Sequence, residues 1–295
     1  MAASANLAPT EQIDELIDEF SVDQDYGHYS EEDQGTWRIA MSELKSVLVS
    51  NTAVDYVHAF HATGMSPDRI PTLACVNNAL NEVGWSAIVV DGFIPPDVFM
   101  ALQANSILPI SRPIRARSQL GYTPIPDIIH EAAGHLPMLS CPAYRVFLQR
   151  LGEIGANTHL NDTDMNLYNL QKHLAELHAE DGVDPQEILD AERAVAKAAD
   201  AARDEDVSPA RRVARFHWWT VEYGLIGPNH DIYGAGLLSS VAEARDFRSA
   251  NHVRLTVDCC NQPFEIDHVQ PRYYVADSWA HLMDEVEALA VSVAN

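Results

Sequence analysis

Residues 126–135 read PDIIHEAAGH and place His130 and His135 five positions apart, with Glu131 beside the first. That interval restricts the local fold more than any other feature of the chain. Each residue of an ideal α-helix turns about 100°, so the two imidazoles stand about 140° apart and cannot grip a common ion from a regular helix. The zinc-protease signature spaces its histidines by four, so that motif is excluded, and with it Glu131 as a peptidase base. Convergence of the pair requires one histidine to lie at an irregular helix entrance. The flanks supply one: Pro124 and Pro126 keep the approach extended, Asp127 can cap, and Gly134 permits close backbone approach.

A second anchor lies downstream in ARFHWWTVEYGLI, residues 214–226, which is apolar on most faces and reads as a buried helix. Its one carboxylate is Glu222. A buried carboxylate costs several kcal/mol unless it is paired or bound to metal. Arg215 could pair with it, or a metal could. Two imidazoles and one carboxylate leave half a coordination sphere open, which suits non-heme Fe(II) and oxygen. Zinc hydrolases use the same donors. The aromatic neighbours Phe216, Trp218, Trp219 and Tyr223 favour a flat apolar substrate and therefore iron. The other histidines, such as His28, His58, His61 and His173, read as ordinary surface or core residues.

Charge narrows the partners. The formal net charge is −24 with a pI near 4.7, and the only lysines are Lys45, Lys172 and Lys197. No basic stripe exists to neutralise phosphates, so nucleic acid and anionic membrane are not expected as partners. No apolar run approaches the roughly 18 residues of a membrane helix, and MAASANLAPT has no basic leader region. The four cysteines, Cys75, Cys141, Cys259 and Cys260, are sparse and irregular, as fits reduced thiols in a cytoplasm.

The periodicities predict a mainly α protein with a few short strands, an α+β fold. Residues 11–20 have helical spacing, and Ser30 with Asp33 forms a capping box ahead of the next helix. SAIVVDGF, residues 86–93, reads as a short strand ending near Gly92, with a helix from Pro96 or Asp97. After Asp127 the chain reads as helix through residues 141–155. Without a repeat or linker, residues 1–295 are expected to form a single domain. Residues 157–213 are more polar and read as a helical insertion. Within them Asp184-Pro185-Gln186-Glu187 starts an Ala-rich helix that can bury little, and Ser208-Pro209 starts the next.

Several motifs in one order resemble the pterin-dependent aromatic amino acid hydroxylases. They are YTPIPDIIHEAAGHLPML at 122–139, WWTVEYGL at 218–225 and IYGAGLLSS at 232–240. Weaker ones are YSEEDQGTW, RIPTLACVNNAL, GFIPPDVF and QPRYYVADSW. The resemblance spans nearly the whole chain apart from 157–213. It implies the catalytic-domain fold of that family and Fe(II) held by His130, His135 and Glu222. It also implies a tetrahydrobiopterin-like cofactor lined by Gly92, Phe93 and Ile94, stacked on Phe99 and hydrogen-bonded to Glu131. Arg115 would receive the substrate carboxylate, a bidentate task suited to guanidinium. Thr123, Pro124, Trp218 and Gly236 would line the substrate pocket, and Ser239 would orient His130. The implied reaction is ring hydroxylation of an amino acid with O2 and tetrahydropterin, L-phenylalanine to tyrosine. Alternatives are tryptophan, another ring position or another aromatic metabolite, and more remotely a zinc hydrolase. The segment SRPIRAR makes Arg112 and Arg117 rivals to Arg115, Ile125 stands where the family has a glutamate or similar group, and the interval from His135 to Glu222 is long. A monomer or weak dimer is expected.

Overall fold

The computed structural model describes residues 10–92, 94–120, 127–179, 182–203, 207–264 and 269–294. Helix α1 covers Thr10–Phe20 and α2 covers Glu31–Leu48. The Ser30 hydroxyl accepts from the Asp33 amide while the Asp33 carboxylate accepts from the Ser30 amide, so the capping box forms in both directions. Helices α3 (Tyr56–Ala62) and α4 (Leu73–Leu80) follow, each capped by the side chain before it, Asp55 and Thr72.

Strand β1 (Ser86–Val90), helix α5 (Pro96–Ala104, with Pro96 at its first turn) and strand β2 (Ile107–Ser111) make a parallel crossover unit. After a 3-10 turn at Arg117–Gln119 come a π-helical segment at Ile129–His135, a 3-10 turn at Leu136–Ser140 and helix α6 (Pro142–Ala156). Helices α7 (Asp162–Ala179) and α8 (Pro185–Arg203) pack on one another. The Asp164 carboxylate of α7 accepts from Ser208 and from the Arg211 guanidinium, which ties the pair to helix α9 (Pro209–His217). As expected from its alanine face, α8 is largely exposed.

Helix α9 runs into a second π-helical segment, Trp218–Glu222. Strands β3 (Leu225–Ile226) and β4 (Asp231–Ile232), helices α10 (Ala235–Ser239) and α11 (Val241–Asp246), strands β5 (Asn251–Arg254) and β6 (Arg272–Ala276) and helix α12 (Trp279–Val293) complete the order. The short strands form a mixed sheet in the order β4-β3-β6-β5. The result is the expected mainly α fold with few short strands. Trp37, Tyr144, Phe147, Phe216, Trp219, Tyr233 and Phe247 are fully buried at its centre. Among the described residues no helix is long and apolar enough to cross a membrane.

One carboxyl group lies in this core away from any metal-ligating group. Glu243 on α11 is fully buried and accepts a 2.9 Å hydrogen bond from the Tyr273 hydroxyl. Burial pushes its carboxyl up to about 7, against the smaller opposing effect of hydrogen bonding. A carboxyl raised on folding favours the native state below its ordinary value near 4.5, and that contribution is lost as pH rises through about 7. Glu243→Gln keeps an acceptor for Tyr273 without the buried charge. It should therefore melt with the parent near pH 5 and above it at pH 9, by up to roughly 3 kcal/mol at about 1.36 kcal/mol per pKa unit. Thermal denaturation from pH 5 to 9 checks this.

Candidate metal centre

The five-residue interval is resolved by winding rather than by an irregular entrance. The backbone of Ile129–His135 is π-helical, so residues five apart share a face, and His130 and His135 turn the same way. The expected entrance is thus corrected: both imidazoles sit inside the π segment. The capping role of Asp127 stands, since its Oδ1 accepts from the His130 amide at 2.9 Å. Gly134 stands where a Cβ would meet the Ala235 carbonyl at 2.6 Å, so only glycine lets this segment lie against α10. The approach at 121–126 lies outside the described residues.

Glu222 ends the second π segment and points at the same pair. Its Oε2 is 3.3 Å from His130 Nε2, its Oε1 is 3.4 Å from His135 Nε2, and the two Nε2 atoms are 3.3 Å apart. The two imidazole nitrogens and the two oxygens of the Glu222 carboxylate thus converge closely enough to share one ion at about 2.0–2.2 Å from each donor group. Arg215 does not compete for Glu222, because it donates to the Cys260 carbonyl. Glu131 is a nearer rival: its carboxylate joins the two histidines in a group compact enough for an ion, with Oε2 3.8 Å from His135 Nε2. Electrostatics separate the two acids. Burial would raise Glu222, but His130 and His135 hold it well below the usual carboxylate range, whereas burial raises Glu131. Glu222 is held as the anion, while burial pushes Glu131 toward its neutral form and leaves its Oε2 without a hydrogen-bond partner.

His130 is held by a relay. Its Nδ1 lies 3.0 Å from the Ser239 hydroxyl, which itself donates to the Ala235 carbonyl at 2.7 Å, so Nδ1 carries the proton and Nε2 is left to face the shared position. Burial pulls its imidazole down, yet the neighbouring Glu222 carboxylate carries it up to about 9. Without metal a proton thus occupies the ligating position, and an ion must displace it. Ser239→Ala should cost about 10–100-fold in metal affinity through loss of this support, measured by chelator competition; an unchanged affinity would show the contact to be incidental.

Arg115 is buried. Its Nε and Nη2 clasp the Asp127 carboxylate at 2.8 and 2.6 Å, which leaves donors on the Nη1–Nη2 edge, where among the described residues Nη1 reaches the Ser239 carbonyl at 3.4 Å. Of its rivals, Arg112 pairs with Asp91 and Arg117 is exposed. Trp218 is half-buried, stacked on Phe264 with centroids 4.3 Å apart, and donates through Nε1 to Gln270. The expected wall of four aromatics is smaller than the sequence suggests, because Phe216 and Trp219 turn fully into the core and Phe264, unforeseen, joins Trp218. Gly236 lies where a Cβ would strike the Tyr223 ring at 2.7 Å.

Gly92 has φ +75° and is exposed, Ile94 packs beside Ile13, Leu102 and Ile107, and Phe99 meets the His217 ring edge-on. Phe93, Thr123 and Pro124 lie outside the described residues. Two side chains at this centre went unnoticed in sequence. Asp127 read only as a cap, although its partner Arg115 is twelve residues away. His217 sits next to the aromatic pair with no spacing to mark it; it is half-buried, and desolvation lowers its imidazole to about 4, so it is neutral. A surface cleft of about 300 Å³ lined by Gly227, His230, His252, Arg254 and Asp277 shares none of these residues. Its two imidazoles are already satisfied, with 2.6 Å between their Nδ1 atoms and His252 Nε2 on the Phe247 carbonyl.

Comparison with known proteins gives one consistent neighbourhood. A profile of the family described as biopterin-dependent aromatic amino acid hydroxylase matches residues 12–170 and 186–295. Phenylalanine-4-hydroxylase of Chromobacterium violaceum is 28% identical over 273 residues, 90% of this chain and 76% of that one. The Dictyostelium discoideum phenylalanine-4-hydroxylase is 29% identical over 274 residues, 90% of this chain and only 52% of that longer protein. Among solved structures, the Chromobacterium violaceum phenylalanine hydroxylase with bound iron(III) and 7,8-dihydrobiopterin superposes with a TM-score of 0.71 at 26% identity, covering 93% of this chain and 86% of that one.

Proposed function

This chain belongs to the biopterin-dependent aromatic amino acid hydroxylases, and from that premise we propose that it converts L-phenylalanine to tyrosine with iron, a tetrahydropterin and O2. The observation that carries the reading is the convergence of His130, His135 and Glu222, two imidazoles and one carboxylate, a set of donors that leaves coordination positions for other ligands. The residues present fit both groups. The donor set suits iron, and the buried Glu131 Oε2 beside the three donors lacks a partner that a pterin can supply. When bound, iron and tetrahydropterin supply O2 activation and two electrons; the protein supplies placement.

In this assignment the Nη1–Nη2 edge of Arg115 receives the substrate carboxylate while Asp127 keeps the guanidinium in plane. Trp218, braced by Phe264, walls the ring of the amino acid and keeps water from it. Fixing the carboxylate at one end and the ring at the other selects which ring carbon faces the metal. Ser239 holds His130 in the tautomer that leaves Nε2 toward the ion. Gly92, Phe93, Ile94 and Phe99 border the pterin, Glu131 hydrogen-bonds to it, and Thr123, Pro124 and Gly236 complete the substrate pocket. The whole chain acts as one catalytic domain, with 157–213 as a helical insertion at its periphery. It works as a monomer or weak dimer on free small molecules in a reducing cytoplasm, in keeping with four free thiols and a charge of −24 that repels nucleic acid.

The test is an aerobic reaction of the Fe(II)-loaded protein with tetrahydrobiopterin and a mixture of phenylalanine and tryptophan. Tyrosine formed in step with pterin oxidation is expected. Hydroxytryptophan as the sole product would reassign the substrate, and no product with any aromatic amino acid would sink the reading.

A further inference from the structure

Trp218 is packed on its rings and pinned at one atom. Its indole stacks on Phe264 and leans on Tyr223, with centroids 4.3 and 4.9 Å apart. Stacked rings tolerate a range of offsets, so these contacts set the tilt of the indole and not its advance toward the metal site. The indole Nε1 donates to Gln270 Oε1 at 3.2 Å, and this bond takes up the freedom that stacking leaves. Gln270 is itself 2% exposed, in the stretch just before β6, and α11 sets its place. The Glu243 carboxyl of α11 accepts from the Gln270 backbone and, at 2.9 Å, from the Tyr273 hydroxyl. The Tyr273 ring stacks on Tyr223 at 6.3 Å, which returns the path to Trp218. The contacts close a circuit around a carboxyl whose burial is costly without such partners. Glu243 follows Ser239 by four residues, and the Ser239 hydroxyl lies 3.0 Å from His130 Nδ1. Residues 239–243 therefore brace a metal-site histidine at one end and, through Gln270, the aromatic wall at the other.

We propose that Gln270 is a positioning residue for the hydroxylation: it pins the Trp218 indole from outside the pocket, on a brace supplied by Glu243, and so fixes which ring carbon of the amino acid meets the metal. This rests on the substrate reading of the site. Gln270 touches neither substrate nor cofactor and acts through Trp218. Misplacing a reacting atom by about 1 Å costs about a hundredfold in rate, and neighbouring ring carbons are separated by little more than that. A wall free to slide by this much presents the neighbouring carbon too. The stretch that carries both Ser239 and Glu243 works as a ruler between metal and wall.

The experiment feeds the Fe(II)-loaded protein with tetrahydrobiopterin, O2 and phenylalanine and separates the products by chromatography. Alongside it, phenylalanine is titrated calorimetrically and anaerobically into the Fe(II)-loaded protein holding 7,8-dihydrobiopterin. Gln270→Met and Gln270→Leu both remove the acceptor, so whichever keeps the parent's circular dichroism is read. Phenylalanine should bind about threefold to tenfold more weakly, the span of one hydrogen bond. About a tenth or more of the product should become meta-tyrosine, as a shift near 1 Å allows, while iron content and the KM for pterin stay as in the parent. In a Trp218→Phe background the same change should add nothing, since the bond it removes is already gone. An unaltered product pattern in a folded variant would overturn the inference. So would an equal added effect in the Trp218→Phe background. Loss of folding in both variants, or a parallel fall in iron and pterin binding, would overturn it as well by making Gln270 a general support of the fold. A parent that hydroxylates no aromatic amino acid would defeat the functional reading instead, a result seen before any variant is made.

Discussion

Glu222→Ala should emerge folded, empty of iron and inactive. The carboxylate is the one anionic donor of the three, and its removal leaves two neutral imidazoles with no charge to oppose the ion. The loss of metal affinity should exceed the 10–100-fold that deleting a supporting contact costs, and the activity that depends on the metal should go with it. Folding survives for a specific reason. Breaking a buried ion pair is costly when the surviving charge cannot be discharged, but His130, carried to about 9 by Glu222, simply gives up its extra proton when that partner goes. Iron content and circular dichroism check both halves. Glu131→Gln is the matched control, and it should retain iron, since burial already pushes Glu131 toward its neutral form. The opposite pattern, with iron kept by Glu222→Ala and lost from Glu131→Gln, would exchange the two glutamates.

Asp127→Ala should do the reverse and damage the fold before the metal. Arg115 cannot shed its charge, and it is buried with Asp127 as its carboxylate partner. Leaving that cation unpaired costs about 3–5 kcal/mol. At about 2–4 °C per kcal/mol for chains of this order of size, the melting temperature should fall by roughly 10 °C. The same substitution uncaps the His130 amide. Asp127→Asn retains the cap oxygen with less of the charge compensation, so it should melt between the two and show a raised KM for the amino acid as the Arg115 edge loses its orientation. A melting temperature within a degree of the parent for Asp127→Ala would show that the pair is not holding this loop.

How much of this could be read from residues alone depended on whether the cause was local. Caps at Ser30 and Ser208 act over three residues and are written in side chains, so the starts of α2 and α9 were legible. Pro96 marked α5 in the same way. Glu222 was legible because one carboxylate among aromatics has to be accounted for. Winding was not. A π segment differs from an α-helix by a hydrogen bond reaching one residue further, and nothing in IHEAAGH or WWTVE signals that choice. Only the failure of the five-residue interval on an α-helix hinted at it. Strand β2 contains Pro109, which argues against a strand in sequence but is tolerated at a sheet edge, and among the described residues its one strand partner is β1. The Arg115–Asp127 pair and the contact between His217 and Phe99 join elements that no periodicity connects, and these appeared only in three dimensions.

The central claim is that three side chains from two π segments hold one ion and leave its far side open. An anaerobic crystal structure of the Fe(II)-loaded protein tests it most directly. The account predicts a single iron about 2.0–2.3 Å from His130 Nε2, His135 Nε2 and a Glu222 oxygen, with solvent at the remaining positions facing Phe99 and Trp218. An ion ligated by Glu131 in place of Glu222, or a closed tetrahedral site with no open face, would contradict it.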